Sequence, residues 1–276
     1  ERHAGLEMGA QGLELGADGA FELVLSADEH AGNWMPLDPQ TSSLVVRQFF
    51  YDWTNEERAN LAIECVARPQ GDGVGSVPPP LDPAGVAAQL EALGAHLEAS
   101  MAFWLDVEEG GRRQGVNCFR EPAALTQMGA AAENVSTWGS WSLNDDECLL
   151  IEVTPPEALY WSVSLGNFWW ETIDYARRQS SLNGHQATLD ADGTFRAVVA
   201  HDDPGVANWL DTAGNHHGAM IFRWLRAASA PVPAARVVHR GELEAALPDG
   251  TARVTPSDRS RVLAERARAV RRRFTR

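Results

Sequence analysis

The stretch LLIEVTPPEALYWSVSL, Leu149 to Leu165, sets two runs rich in apolar and β-branched residues on either side of Pro155-Pro156. Leu149 to Thr154 and Leu159 to Leu165 therefore read as strands. The same reading extends outward to Ser136–Leu143, Phe195–Ala200 and Ala219–Leu225, with Asp192-Gly193 as a turn. Short strands, punctuating turns and no βαβ alternation predict a mainly β chain, a β-sandwich or jelly-roll-like fold.

Upstream, Gly12–Gly16 and Phe21–Ser26 flank Asp18-Gly19, a hairpin signal. Leu44–Trp53 and Leu61–Val66 also read as strands, the first so continuously apolar that burial on both faces is expected. Gln70 to Pro83 reads as a Gly/Pro loop. One packed amphipathic helix follows over 84–107: Asp82 caps it, Pro83 suits its first turn, and Gly110-Gly111 stops it. Its apolar stripe of Val86, Leu90, Leu93, Leu97, Met101 and Trp104 is expected to face the core. These elements give a mostly β body over 1–226, with N-terminal strands in 1–66 and C-terminal strands in 136–226.

Charge divides the chain at the same place. Residues 227–276 hold 11 Arg against 5 acids, and the preceding 226 hold 12 against 33. The Pro/Ala stretch from Ala227 reads as a linker to a basic helical tail, an Arg-rich helix with Thr255 and Asp258 as its capping box and Pro256 in its first turn. Val262, Leu263, Val270 and Phe274 are expected to dock it on the body.

With 276 residues, a core of useful size is available. The formal charge of -15 argues against a nucleic-acid partner. All 23 basic residues are arginine, so Schiff-base lysines and Walker phosphate loops are excluded. Cys65, Cys118 and Cys148 make neither a CxxC pair nor a disulfide framework. No apolar run reaches membrane-spanning length, and Glu1-Arg2-His3 does not open a signal peptide, so a cytoplasmic protein without a transmembrane segment is expected.

The segment YWSVSLGNFWWETIDYARRQSSLN, Tyr160 to Asn183, carries six aromatics in its first sixteen residues. It reads either as a core strand and bend or as an aromatic-walled cleft. For the cleft, Trp161, Trp169, Trp170, Tyr175, Arg178, Asn183, Trp209 and His216 are the candidate ligand-binding residues. Glu171 and Asp174 are candidate acids, their pKa raised among the rings, and His201 is the candidate base. The histidines His201, His216 and His217 sit in Gly/Pro turns with no HxH or HExxH spacing, so neither metal nor cofactor is expected. Gly71-Asp72-Gly73-Val74-Gly75 lies in a Pro-rich loop and is no dinucleotide fingerprint.

The segments YWSVSLGNFW, RRQSSLN, HDDPGVANWLDT and GAMIFRWL occur in that order, with the Asp-Gly turn between the second and third. Over roughly residues 140–226 the chain thereby resembles a bacterial family known as domain of unknown function 1214. NWMPLDPQTSSLVVRQFFYDW resembles the region upstream in actinobacterial members. The resemblance implies a β-rich, jelly-roll-like fold and a bacterial, actinobacterial-type source; it implies little chemistry. Two functions follow from the residues. One is an enzyme acting by acid–base chemistry on a small ring-containing or lipophilic molecule in the aromatic cleft. The other is a non-catalytic small-molecule-binding or accessory protein. A carboxylate and a histidine converging beside the tryptophans would separate them. Oligomeric state is left open.

Overall fold

The computed structural model describes residues 12–38, 41, 43–66, 82–124, 126 and 131–275. Two open sheets form the body, and neither closes into a barrel. The five-stranded sheet has the order β3 (Ala123–Ala124), β4 (Asn134–Ser142), β10 (His217–Ala227), β6 (Ala158–Asn167), β7 (Ser181–Asn183). The four-stranded sheet has the order β11 (Ala234–His239), β5 (Glu147–Val153), β8 (Phe195–Ala200), β9 (Trp209–Asp211). All pairings within these two sheets are antiparallel except β8 with β9.

The mostly β sandwich follows from side-chain alternation. On β6, Trp161, Val163 and Leu165 enter the core between the sheets, where Leu149, Ile151 and Phe195 meet them from the other side. The intervening Cys148 and Leu150 of β5 point the opposite way, into a second cluster with Val198, Trp209 and Leu243. Leu243 belongs to a short helix, α2 (Leu243–Ala246), that helps cover that face. Burial on both faces explains the unbroken apolar run in β5. Strands β4, β5, β6, β8 and β10 thus lie where the sequence put them. Strand β11 lies beyond residue 226 and pairs with β5, so the four-stranded sheet draws on the 227–276 segment as well.

The N-terminal region differs from expectation. The turn at Asp18-Gly19 forms, with Gly16 donating to the Ala20 carbonyl at 2.8 Å, but no hairpin ladder flanks it. Instead β1 (Val24–Ser26) pairs parallel with β2 (Trp34–Pro36). Leu44–Trp53 and Leu61–Val66 form no strand among the described residues, and Leu44, Val45, Val46 and Ile63 are exposed. The physical reason is how this segment is held: Asn183 donates Nδ2 to the carbonyls of Phe50 and Tyr51, at 3.1 and 2.9 Å, in place of a backbone ladder. Tyr51 and Phe49 pack on Tyr160, ring centroids 5.5 and 5.3 Å apart. Of the Gly/Pro loop expected over Gln70 to Pro83, residues 70–81 lie outside the described residues.

The long helix, α1, spans Pro83–Gln114, with Asp82 as N-cap accepting from the amides of Ala84 and Gly85. It does not stop at Gly110-Gly111. Those glycines continue the helix because Gly111 lies hard against the sheet: a Cβ there would stand 2.8 Å from both Arg120 Nη2 and Ser140 Oγ. Nor does the expected stripe face the core. Leu90, Leu93, Leu97 and Met101 are all more than half exposed, and the buried positions of α1 are Glu108 and Gly111. No helix among the described residues is long and apolar enough to cross a membrane.

The tail forms α3, Pro256–Phe274, with the expected capping box of Thr255 and Asp258. Val270 is buried, whereas Phe274 is 76% exposed and takes no part in docking. The seam is completed by two buried arginines, Arg259 and Arg266. Arg259 pairs with an acid, Asp203, at 2.9 Å. Arg266 binds the carbonyls of Tyr175 and Ser181 at 2.6 and 2.8 Å, and burial pushes its guanidinium pKa down to about 10.

Candidate functional site

The expected aromatic cleft is not assembled as a unit. Trp161 lies in the sandwich core, its ring 5.1 Å from Phe195. Trp209 is buried in the second cluster and donates Nε1 to the Ala200 carbonyl. Tyr175 meets Trp53 edge-on at 6.2 Å. Asn183 binds the chain's own segment, as above. Arg178 pairs with the buried Asp211 at 3.0 Å. Trp169 is exposed beside Phe168.

The candidate acids fare similarly. Glu171 accepts from Asn167 Nδ2 at 2.7 Å on the surface. Asp174 pairs with Arg177 at 3.3 Å. Desolvation acts against its charged form, but hydrogen bonds from Arg177 outweigh it and hold the carboxyl below its usual range, opposite to the rise expected. His201 sits with Nδ1 2.8 Å from the Thr212 hydroxyl, its ring 4.9 Å from that of His216.

Of the candidates, Trp170 occupies the most unusual place. Its φ is +62°, a left-handed backbone that a bulky residue rarely takes and that costs roughly 1–3 kcal/mol. The turn that imposes it is built by Asn167, whose Oδ1 accepts from the amides of Trp169 and Glu171, both at 3.0 Å. So held, the indole reaches α1 and donates to the Oε2 of Glu108 at 3.0 Å. The ring stacks on Trp104, 5.8 Å away at 27°, and meets Trp138 edge-on at 4.8 Å. Arg120 lays its guanidinium 3.4 Å above the Trp138 ring. Burial lowers the Arg120 pKa, against the opposing pull of the charges of Cys118 and Glu108.

This cluster joins the outer face of β4 to the last turns of α1. It holds one carboxylate, two guanidiniums and a hydroxyl. Glu108 Oε1, Arg112 Nη1, Arg120 Nη2 and Ser140 Oγ are each buried with no hydrogen-bond partner among the described residues. Arg120 Nη2 and Ser140 Oγ meet at Gly111, and Arg112 follows Glu108 by one turn of α1; such a group is unusual, since buried polar groups are nearly always paired and each unpaired one costs about 1–3 kcal/mol. A cleft of about 370 Å³ lies elsewhere, lined by Glu133, Val135, Trp224 and Arg226 among others; its two charged groups pair with each other.

The sequence reading named Trp170 and missed Glu108, Arg112, Arg120, Ser140, Trp104 as a site residue, and Trp138. A signal was present. Glu108 and Gly111 continue the Trp104 stripe at helical spacing, and a carboxylate on such a stripe marks a special contact.

Residues 148–229 match the model of a family described as a protein of unknown function, DUF1214. A crystal structure of an uncharacterised protein from Burkholderia cenocepacia is similar, with 37% sequence identity and a TM-score of 0.75 over 86% of this chain. The chain covers 64% of that protein's length. The VPA0106 protein from Vibrio parahaemolyticus is 15% identical over 41% of this chain and 33% of its own, with a TM-score of 0.33. None of the curated proteins matches significantly. Neither solved structure is actinobacterial, so that detail gains no support from them.

Proposed function

We propose that this chain is a non-catalytic binding module whose ligand is a small ring-containing molecule carrying an anionic group. The ring would extend the Trp104–Trp170 stack, and the anionic group would meet Arg120 and Arg112 beside Trp138. The observation that carries this reading is the set of four buried, unpartnered polar atoms next to three tryptophans. With two guanidiniums against one carboxylate, the cluster favours an anion, and aromatic walls with few polar groups suit small-molecule recognition. The left-handed Trp170 adds to it, since backbone strain collects where a ligand must be met.

The acid–base enzyme reading is second. It needs a carboxylate and a histidine side by side at the rings, and Glu171, Asp174 and His201 have separate partners. A cytoplasmic setting and a small-molecule rather than nucleic-acid partner belong to the same proposal, the latter supported by the net charge of -15.

Tryptophan fluorescence titrated with a panel of aromatic carboxylates tests it. A saturable change is expected with at least one member of the panel, weakened tenfold or more in Arg120→Gln and unchanged in Arg226→Gln, which lies away from the cluster in the cleft beside Glu133. Equal binding by Arg120→Gln, or no response to any member of the panel, would overturn it.

A further inference from the structure

Three turns at one end of the sandwich bring together residues that lie far apart in sequence. Asp145 occupies the turn between β4 and β5, His201 follows β8, and His216 immediately precedes β10. One ligand atom from each lies within 4.8 Å of the others. His216 Nδ1 is already 3.7 Å from Asp145 Oδ1. We propose that Asp145, His201 and His216 form a binding site for a divalent transition metal, with zinc as the first candidate.

Ligand chemistry supports this choice. Two imidazoles and a carboxylate suit zinc and its neighbours better than calcium or magnesium, which prefer all-oxygen sets. Metal–ligand bonds of about 2.0–2.2 Å put tetrahedral ligand atoms about 3.4 Å apart, so the group must close by about an ångström. The two residues that would move are the ones free to do so: Asp145 and His216 are exposed.

His201 supplies the fixed point. Its Nδ1 is 2.8 Å from the hydroxyl of Thr212, which is fully buried. If Nδ1 carries the proton and donates it to that hydroxyl, Nε2 keeps its lone pair for the metal, the arrangement by which outer partners commonly orient ligating histidines. The Leu143 carbonyl stands 3.4 Å from Nε2, at the long limit of a hydrogen bond, and offers weak competition. Leu143 also donates its amide to the His216 carbonyl at 2.8 Å, so the backbones bearing two of the three ligands are already tied together.

The bound ion would join the sheets. His201 extends from the four-stranded sheet, His216 from the five-stranded one, and Asp145 from the turn that crosses between them. Three protein ligands leave a fourth position open to water or to an anion. The proposal departs from the metal-free expectation, which rested on spacing along the chain; the spacing is blind to three turns meeting at one end of a sandwich.

Calorimetric titration of the protein with zinc chloride, in a non-coordinating buffer, tests it. Cobalt(II) absorption gives an independent reading of the ligand geometry. One ion per chain is expected, with a rise in melting temperature as zinc is added. His216→Ala and Asp145→Asn should each weaken binding at least tenfold; both side chains are exposed, so folding should survive. His239→Ala removes a different histidine, paired with Asp146 at 3.1 Å, and should leave binding unchanged. Absence of a one-to-one phase, undiminished binding by His216→Ala, or loss on His239→Ala would overturn the proposal.

Discussion

Replacing Arg259 with methionine isolates what one buried guanidinium does for the docking of α3. The side chain is 5% exposed and bonds Asp203 through Nε at 2.9 Å and Gln179 Oε1 through Nη1 at 2.8 Å. Its Nη2 donates to the Val206 carbonyl, and the guanidinium lies 5.3 Å from the Trp209 ring. Methionine keeps the apolar stem and removes every donor. Gln179, itself 2% exposed, already commits its Nε2 to the carbonyls of Ala207 and Trp209, so its Oε1 is left without a donor. The buried Val206 carbonyl loses its donor as well, and orphaned acceptors of this kind cost about 1–3 kcal/mol each. Breaking a buried ion pair from one side costs about 3–5 kcal/mol in full, but Asp203 is 28% exposed and regains water, so a fraction of that applies. Together these give a loss of about 3–4 kcal/mol, a large part of a typical stability of about 5–15 kcal/mol. At about 2–4 °C per kcal/mol for a body of this size, the melting temperature should fall by about 10 °C. Urea unfolding at pH 7, followed by fluorescence and circular dichroism together, measures it. Arg259→Lys should recover less than half of the loss, because an ammonium cannot serve three directions as the planar fork does. A change below about 1 kcal/mol in Arg259→Met would refute the reasoning, since so small an effect means the contacts are replaced by water without cost.

Three further outcomes follow. Val270→Asp puts a carboxylate into the α3 seam, where the native side chain is 6% exposed, and should destabilise by about 3 kcal/mol or more in the same urea assay. Asp192 is held well below the usual carboxylate range by its hydrogen bond from Arg196, so its contribution is present above about pH 4 and fades as acid protonates it. Asp192→Asn should therefore have a lower urea midpoint than the parent at pH 6, with the gap narrowing at pH 2.5. Asn183→Ala removes both donors to the carbonyls of Phe50 and Tyr51; limited proteolysis should then cut between residues 44 and 60 at a much higher rate, with the strand-rich body intact.

What the sequence discloses and what it hides have separate physical causes. Strands β4, β5, β6, β8 and β10 are legible by two local signals: apolar runs in β5 and β8, and alternation in β6, where Trp161, Val163 and Leu165 stand against Tyr160, Ser162 and Ser164. That same alternation places Trp161 in the core and so removes it from any cleft. The strands β7 and β9, three residues each, are too short to show a period. Leu44–Trp53 reads as a strand by composition, yet it is anchored by side chains from the body, and no local pattern encodes that. The capping box of α3 is local and was readable; the burial of Arg259 and Arg266 depends on carbonyls supplied by distant loops. The candidate site is hidden for the same reason. Trp170 meets Glu108 across 62 positions of chain, so neither residue carries the other's signature. The recognition of the DUF1214 segment, by contrast, rested on ordered motifs and is matched over 148–229.

Because α3 follows every strand in the chain, its arginines reach their acceptors only after the sandwich has been synthesised. Until then the carbonyls of Tyr175, Ser181 and Val206 lack the donors that hold them in the finished protein. At about 5–20 residues added per second, the interval between completing β11, the last strand, and completing α3 amounts to a few seconds on the ribosome. A chain that lacks α3 should therefore keep the strands of both sheets but leave these three carbonyls without their arginine donors.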